Sequence, residues 1–452
     1  MSAPSLKIDD ALFVVTVDTE RRIIRDGAVV IEDGAITHVG KADDLREVTA
    51  DRVIDASEMV VTPGFLNGHM HISYAHPVRG IFADDVENRL GHVFRMQSVM
   101  TAEEEYATTL LGLVELVKSG TTAIVDPGTT RFPEACLAAY EAAGVTVMIG
   151  EQVTDIENPL NLPVYDTAEA IERMRASVES LHGRLDGRMQ AWTMPFSLQV
   201  CSPELLAAAK AIADEHGTAM TIHHSGGVGV TGPTPTERLA DIGALGPNVV
   251  ISHGMSLTDS DIDLIAGSGT TVAVCPSTVL KNGADTRAAG RLPEFLAAGV
   301  PVSLATDSAN SSNFLDMVRC MGLAATVYKD ARADSGMIPP ETALELATRT
   351  GAAALQVGDS LGAVEVGKRG DLVLFDTRRP EWRSLTEPVR NLVYSATGDS
   401  VDTVVADGRI VVEDGATTFV DDEWALIQQV EAAGRRIRDE TGVDFPSPWP
   451  VS

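Results

Sequence analysis

VVTPGFLNGHMH, residues 60–71, runs from an apolar start through a Pro-Gly pair into His69 and His71. A short apolar run that stops in polar residues is the pattern of a strand buried on both faces of a parallel sheet. The same shape recurs along the middle of the chain as TTAIVD (121–126), VTVMIGEQ (145–152), MQAWTMPF (189–196), AMTIHH (219–224), NVVISH (248–253), TVAVCP (271–276) and PVSLATD (301–307). Amphipathic stretches of helical period, such as TAEEEYATTLLGLVELVKSG (101–120) and SPELLAAAKAIADEHG (202–217), lie between several of them. Eight strands alternating with helices predict an α/β chain folded as a (β/α)8 TIM-type barrel. An open doubly wound sheet would favour a Gly-rich phosphate loop after the first strand, and GxGxxG is absent there.

Both ends of the chain read differently. DTERRIIRDGAVVIEDGAITHVG, in the first forty residues, alternates apolar and polar positions around Asp26-Gly27 and Asp33-Gly34. GDLVLFDT (370–377) and TVVADGRIVVEDGA (403–416) repeat the style near the other end. The expectation is one small β-sandwich domain built from 1–60 and 358–420, a barrel over 61–357, and a C-terminal helix and tail over 421–452. The helix is expected at 424–440, followed by PSPWP.

Composition narrows the function. The 452 residues carry 35 Lys plus Arg against 65 Asp plus Glu, a net charge of −30. Such a chain repels nucleic acid and anionic membranes, so neither is expected as a partner. No window reaches the length of apolar sequence a membrane helix needs. The opening MSAPSLKIDD has neither a basic segment nor an apolar core of a secretory leader, so a cytoplasmic location is expected. Cys136, Cys201, Cys275 and Cys320 form no CxxC pair and predict reduced, buried thiols.

Functional residues of such a barrel stand at the C-terminal ends of its strands. Here those ends hold His69 and His71, His223 and His224, His253, and Asp307. In an extended strand, residues two apart face the same side, so His69 and His71 can converge on one point. Imidazole nitrogens suit zinc and related divalent ions. One HxH is a weak signal; joined to two later strand-end histidines and a strand-end aspartate it points to a metal site. His76, in the following loop, reads as a surface or supporting histidine.

With these residues in view, the chain resembles the metal-dependent amidohydrolase superfamily over nearly its whole length. The branch is that of triazine hydrolases, adenosine- and guanine-type deaminases, and phenylurea and thiocarbamate hydrolases. The matching pieces are TPGFLNGHMH, RGIFADD (79–85), SGTTAIVD (119–126), SPELL (202–206), ISHGMSLTDSDI (251–262), ATDSANSSNFLDM (305–317) and LATRTGAAALQVGDSLGAVEVGKRGDLVLFD (346–376). The resemblance implies that His69, His71, His223 and Asp307 bind one divalent ion. Zinc is the first choice, with iron, cobalt or manganese fitting the same ligands. It also implies that Asp307 and His253 are catalytic: Asp307 moves a proton between water and the leaving amine, and His253 polarises the substrate. His223 stands at the family's distance after Gly217, so His224 would face away. A homo-oligomer, dimer or larger, is expected on the same ground.

Departures from the pattern shape the substrate expectation. Binuclear relatives carry a lysine in the fourth strand; MQAWTMPF has none, so one metal is expected. Deaminases and triazine hydrolases of this branch commonly have Glu three residues after the fifth-strand histidine, where it protonates a ring nitrogen. Here that residue is Gly226. The expected reaction is therefore hydrolysis of a C–N bond in a small, fairly apolar amide, urea or carbamate. The alternative is a deaminase or dehalogenating hydrolase of a nitrogen heterocycle, with Glu151 or His224 supplying the proton. Met70, Trp192, Met194, Phe196, Met255 and Cys275 are expected as pocket wall alongside those two.

Overall fold

The structure, a computed structural model, describes residues 4–445 together with Ser447 and Trp449; most of the closing PSPWP tail lies outside the described residues. From the N-terminus come β1 (Leu6–Val15), β2 (Ile23–Glu32), β3 (Ala35–Lys41), β4 (Arg52–Asp55) and β5 (Met59–Pro63). β1 pairs antiparallel with β2, and β2 with β3 through the Asp33-Gly34 turn; Asp26-Gly27, expected as a turn, instead lies inside β2, where Gly27 pairs with Ala11 beside a register shift in β1.

The middle of the chain supplies parallel strands: β6 (Phe65–Asn67), β7 (Thr121–Val125), β8 (Thr146–Ile149), the short β9 (Gln152–Val153), β10 (Met189–Ala191), the short β11 (Met194–Pro195), β12 (Met220–Ser225), β13 (Val249–Met255), β14 (Thr271–Val274) and β15 (Val302–Leu304). Eight of them form two four-stranded parallel sheets, ordered β10-β8-β7-β6 and β12-β13-β14-β15, and β9 pairs in parallel with β11. Backbone hydrogen bonds join the sheets at both seams. Thr193 donates to Ala219 and Thr221 to Thr193 on one side; Gly68 donates to Leu304 on the other, all at 2.9–3.0 Å. The Asn67 amide reinforces the second seam, donating to Thr306 Oγ1 at 2.7 Å and accepting from the Thr306 backbone at 3.1 Å.

These strands form where β-branched and apolar residues run together, as in Thr121–Val125, all five of them buried. Side chains facing inward, among them Leu66, Val125, Met148, Trp192, Val250 and Cys275, pack into one apolar cluster. Several of the helices between strands start at side-chain caps. Thr101 and Glu104 form a capping box for Ala102–Lys118, and Ser202 caps Pro203–Glu215.

The chain then returns to the first sheet with β16 (Leu372–Asp376), β17 (Val401–Ala406), β18 (Arg409–Glu413) and β19 (Ala416–Thr417). β16 pairs antiparallel with β5, giving one sheet of nine strands from both chain ends, with β4 branching from β1. Ile8, Val14, Val29, Ile31, Leu372 and Val405 form its core. The Asp33-Gly34 and Asp407-Gly408 turns meet, through Gly370 N donating to Gly34 O and Gly408 N to Gly370 O. A final helix, Glu423–Thr441, closes the described chain.

One expectation needs correcting. Residues 60–71 are not one strand. The chain passes from β5 in the mixed sheet to β6 in the parallel sheet at Gly64, whose N donates to Asp371 O while Phe65 N donates to Gly120 O. β6 ends at Asn67, so His69 and His71 follow the strand rather than lie in it.

Candidate metal centre

Backbone hydrogen bonds carry the extended path beyond β6. Met70 N donates to Val125 O at 2.9 Å, and Asp307 N donates to His69 O at 3.0 Å. The chain is thus pinned to the ends of β7 and β15 on either side, and His69 and His71 come to the same point. His223 arrives from β12, where its N donates to Phe196 O. His253 and Asp307 reach the site with left-handed backbones, φ 71° and 62°. Non-glycine residues held there cost on the order of 1–3 kcal/mol each and cluster at working sites. At β13 the pairing steps from His224 opposite His253 to Ser225 opposite Met255, so Gly254 bulges out. Such a bulge re-aims a side chain, here the His253 imidazole.

The His69 ring stands edge-on to its neighbours, its centre 4.9 Å from that of His71, 4.8 Å from His223 and 5.0 Å from His253. His71 Nε2 and His223 Nε2 are 3.4 Å apart, and Asp307 Oδ1 is 3.6 Å from His71 Nε2. His69, His71 and His223 offer nitrogens within 4.8 Å of one another, a group able to hold a metal. Burial pushes the His71 imidazole down to about 3. Burial, and then the neighbouring imidazoles, hold His69 and His223 well below the ordinary histidine value. All three are therefore neutral at pH 7, with lone pairs free. Both ring nitrogens of His69 are buried without a hydrogen-bond partner. That arrangement is costly in a bare protein and natural in a metal ligand, so the residues fit a divalent cation.

The ring nitrogens pointing away are held. His223 Nδ1 lies 3.1 Å from Phe196 O, which fixes the proton there and leaves Nε2 free. His71 Nδ1 lies 3.1 Å from Thr129 Oγ1, whose hydroxyl donates to Asp126 Oδ1 at 3.0 Å. Asp126, at the end of β7, is fully buried and pushed up to about 6 by burial, against the hydroxyls of Thr130 and Thr129. Partners of this kind orient metal-binding histidines. Asp307 is fixed too: Oδ2 accepts from Thr278 Oγ1 at 3.0 Å and Oδ1 from Ser308 N at 2.7 Å.

A cavity of about 150 Å³ opens over this cluster. Tyr74, Phe94, Phe196, Leu90 and Met255 make its apolar wall, with Arg89 and Asn282 among its polar lining. Phe196 and Met255 line it as expected from sequence; the other expected wall residues do not. Trp192, Met194 and Cys275 point into the apolar cluster among the strands, and Met70 is buried in the main core. Glu151 lies on a separate cavity with Arg173, whose Nε donates to its carboxylate at 2.7 Å. His224 turns away to Thr236 Oγ1 at 2.9 Å. Neither of the last two reaches the histidine cluster to supply a proton. His76 is bound to Glu115 at 3.0 Å. Sequence reading missed Asp126, Thr129, Thr278 and Arg89; only Asp126, the polar stop of TTAIVD, carried a signal.

The sequence pattern of the amidohydrolase family matches residues 60–411. The chain is 34% identical over 424 residues to 5'-deoxyadenosine deaminase of Methanothermobacter thermautotrophicus, covering 92% of this chain and 95% of that one. It is 32% identical to the 5-methylthioadenosine/S-adenosylhomocysteine deaminase of Syntrophobacter fumaroxidans, over 89% of this chain and 91% of the other. Among solved structures, an adenosine deaminase from Xanthomonas campestris with bound zinc superposes with a TM-score of 0.86 at 26% identity, covering 96% of this chain and 98% of that one.

Proposed function

Because the chain belongs to the amidohydrolase family, and is thus a metal-dependent hydrolase of C–N bonds other than peptide bonds, we propose that it cleaves an amide, urea or carbamate-like bond in a small, fairly apolar molecule. The supporting observation is that Asp307 is the one carboxylate lining the cavity among the described residues. Attack on an aromatic ring carbon needs an acid beside the ring nitrogen, and the chain has Gly226 where that acid is expected. A carbonyl needs no ring protonation.

His69, His71, His223 and Asp307 would hold one ion, zinc being the first choice for such ligands. When bound, a divalent ion lowers the pKa of water from 15.7 to about 7. Asp307 takes the proton of the attacking water and returns it to the leaving amine. Thr278 and Ser308 hold the carboxylate in place for both transfers. His253, its Nδ1 buried without a partner, faces the oxygen on which charge develops. Phe94, Phe196 and Met255 keep other water out.

Deamination of a nucleoside is the second reading, supported by the activities of the curated relatives. The two separate in one assay. Metal-loaded protein is given anilides, phenylureas and phenylcarbamates, with amine release measured, and adenosine and its 5'-modified forms, with ammonia measured. Amine release at least tenfold faster supports the carbonyl reading; faster ammonia release sinks it.

The same reading includes a closed (β/α)8 barrel over 61–357, supported by the hydrogen bonds at both seams, and a β-sandwich from 1–60 and 358–420, supported by the mixed sheet and its core. The helix and tail of 421–452 follow. Among the described residues no helix is long and apolar enough to cross a membrane. A cytoplasmic homo-oligomer completes the proposal.

A further inference from the structure

The cavity over the histidines has a mainly apolar wall, and a cation stands in it. Arg89 begins the helix Arg89–Ser98 and lines the cavity beside Leu90 and Phe94. Its guanidinium donates to Asn282 Oδ1 at 3.2 Å and has no ion-pair partner among the described residues. The neighbour of Asn282 is a second cation, Lys281, at the end of the helix Pro276–Lys281. Its ammonium donates to Asn313 Oδ1 and likewise has no ion-pair partner among the described residues. Burial, and then the charge of Arg89, hold the Lys281 ammonium below its ordinary value, with Asp84 acting the other way. In a chain with 65 acidic side chains, Arg89 lines this cavity and Lys281, next in sequence to the lining residue Asn282, is close enough to feel its charge, and neither has an ion-paired carboxylate among the described residues. Like charges held close are relieved by an anion between them. A guanidinium is shaped for a carboxylate, giving two parallel hydrogen bonds.

We propose that the substrate is itself a carboxylate. Its acid group sits on Arg89, with Lys281 behind, and its apolar body lies against Phe94, Phe196 and Met255. Its scissile C–N group, on the reading given above, lies at the histidine cluster. Arg89 thus selects among C–N compounds by charge.

The test uses metal-loaded protein and pairs of anilides and phenylureas that differ only in a distal carboxylate or carboxamide. The parent should prefer the carboxylate form in kcat/KM by about ten- to a hundredfold, the range of a charge-assisted hydrogen bond. Arg89→Gln should collapse that ratio toward one, mainly through KM, and Arg89→Lys should restore part of it. Added salt should shrink the parent's preference. Equal use of both forms by the parent, or a ratio unchanged in Arg89→Gln, overturns the proposal. A second measurement does not depend on turnover: calorimetric binding of phenylbutanesulfonate against phenylbutanol. Tighter sulfonate binding that Arg89→Gln abolishes supports the anion site even if no amide or urea is cleaved, in which case the carbonyl reading fails alone. Equal binding of the two overturns the site.

Discussion

Thr129→Val tests the reasoning about the histidine cluster at a residue that touches no metal. The change removes one oxygen and nearly preserves volume. His71 Nδ1 then loses its acceptor at 3.1 Å, and Asp126 Oδ1 loses a donor at 3.0 Å while keeping the Thr129 backbone N–H. His71 is only 5% exposed, so water does not replace the lost partner. A buried donor left unpaired costs about 1–3 kcal/mol. Loss of an outer partner typically lowers metal affinity about 10–100-fold, or about 1.4–2.8 kcal/mol. The two ranges overlap, so zinc affinity should fall about tenfold to a hundredfold, with Thr129→Ser near the parent. The assay is equilibrium competition for zinc with a chromogenic chelator, on variants whose thermal unfolding is cooperative. Parent-like affinity in Thr129→Val, or an equal loss in Thr129→Ser, would refute the relay from Asp126 to His71.

Asp307→Asn should cut kcat about 100- to 10,000-fold, the usual share of a general acid–base group, with some metal retained by the histidines; turnover and elemental analysis check both. Gly68→Ala should loosen the seam between β6 and β15, since a Cβ there would meet Ser303 Oγ at 2.6 Å; overpacking of this kind costs about 1–3 kcal/mol, read as a lower urea midpoint with weaker metal retention. Glu105 is buried and pushed up by that burial to about 7, although the Arg131 and Phe132 amides donate to it. A carboxyl raised in the folded state stabilises fully below its unfolded value near 4.5 and loses that contribution as pH rises through about 7. Stability of the parent relative to Glu105→Gln should therefore fall between pH 5 and 8, by about 1–3 kcal/mol; urea unfolding at both values checks it, and a flat difference would mean the carboxyl is ionised throughout.

Much of the parallel sheet was legible because its strands are short runs of Val, Ile and Thr that stop in polar residues. The histidines and Asp307 were legible because their residue types at those stops are unlike ordinary core. The division of 60–71 was not, since Gly64 changes sheets through hydrogen bonds to residues 120 and 371, far off in sequence. Trp192 and Met194 share the parity of Phe196 and face inward as it does, yet they lie earlier along the strand, packed among the strands, and only Phe196 stands far enough toward the strand end to line the cavity. Glu151 looked available only because its partner Arg173 lies on the next helix, Thr167–Leu181. Arg89 and Thr278 enter the cavity from segments beyond the strands, where no period marks which side chain turns inward.

The mixed sheet has a consequence for how the protein is made. β5 is complete once residue 63 leaves the ribosome, but the strand that pairs with it ends at residue 376. At roughly 5–20 residues per second, the edge of β5 waits about 15–60 seconds for its partner. Val60 and Val61, fully buried when the chain is finished, stand on an open edge throughout that interval. An open apolar edge invites pairing with another chain. Nascent chains halted before β16 should thus be recovered with chaperones or in aggregates, and the cell's exposure to that hazard is set by the speed of translation across the catalytic half.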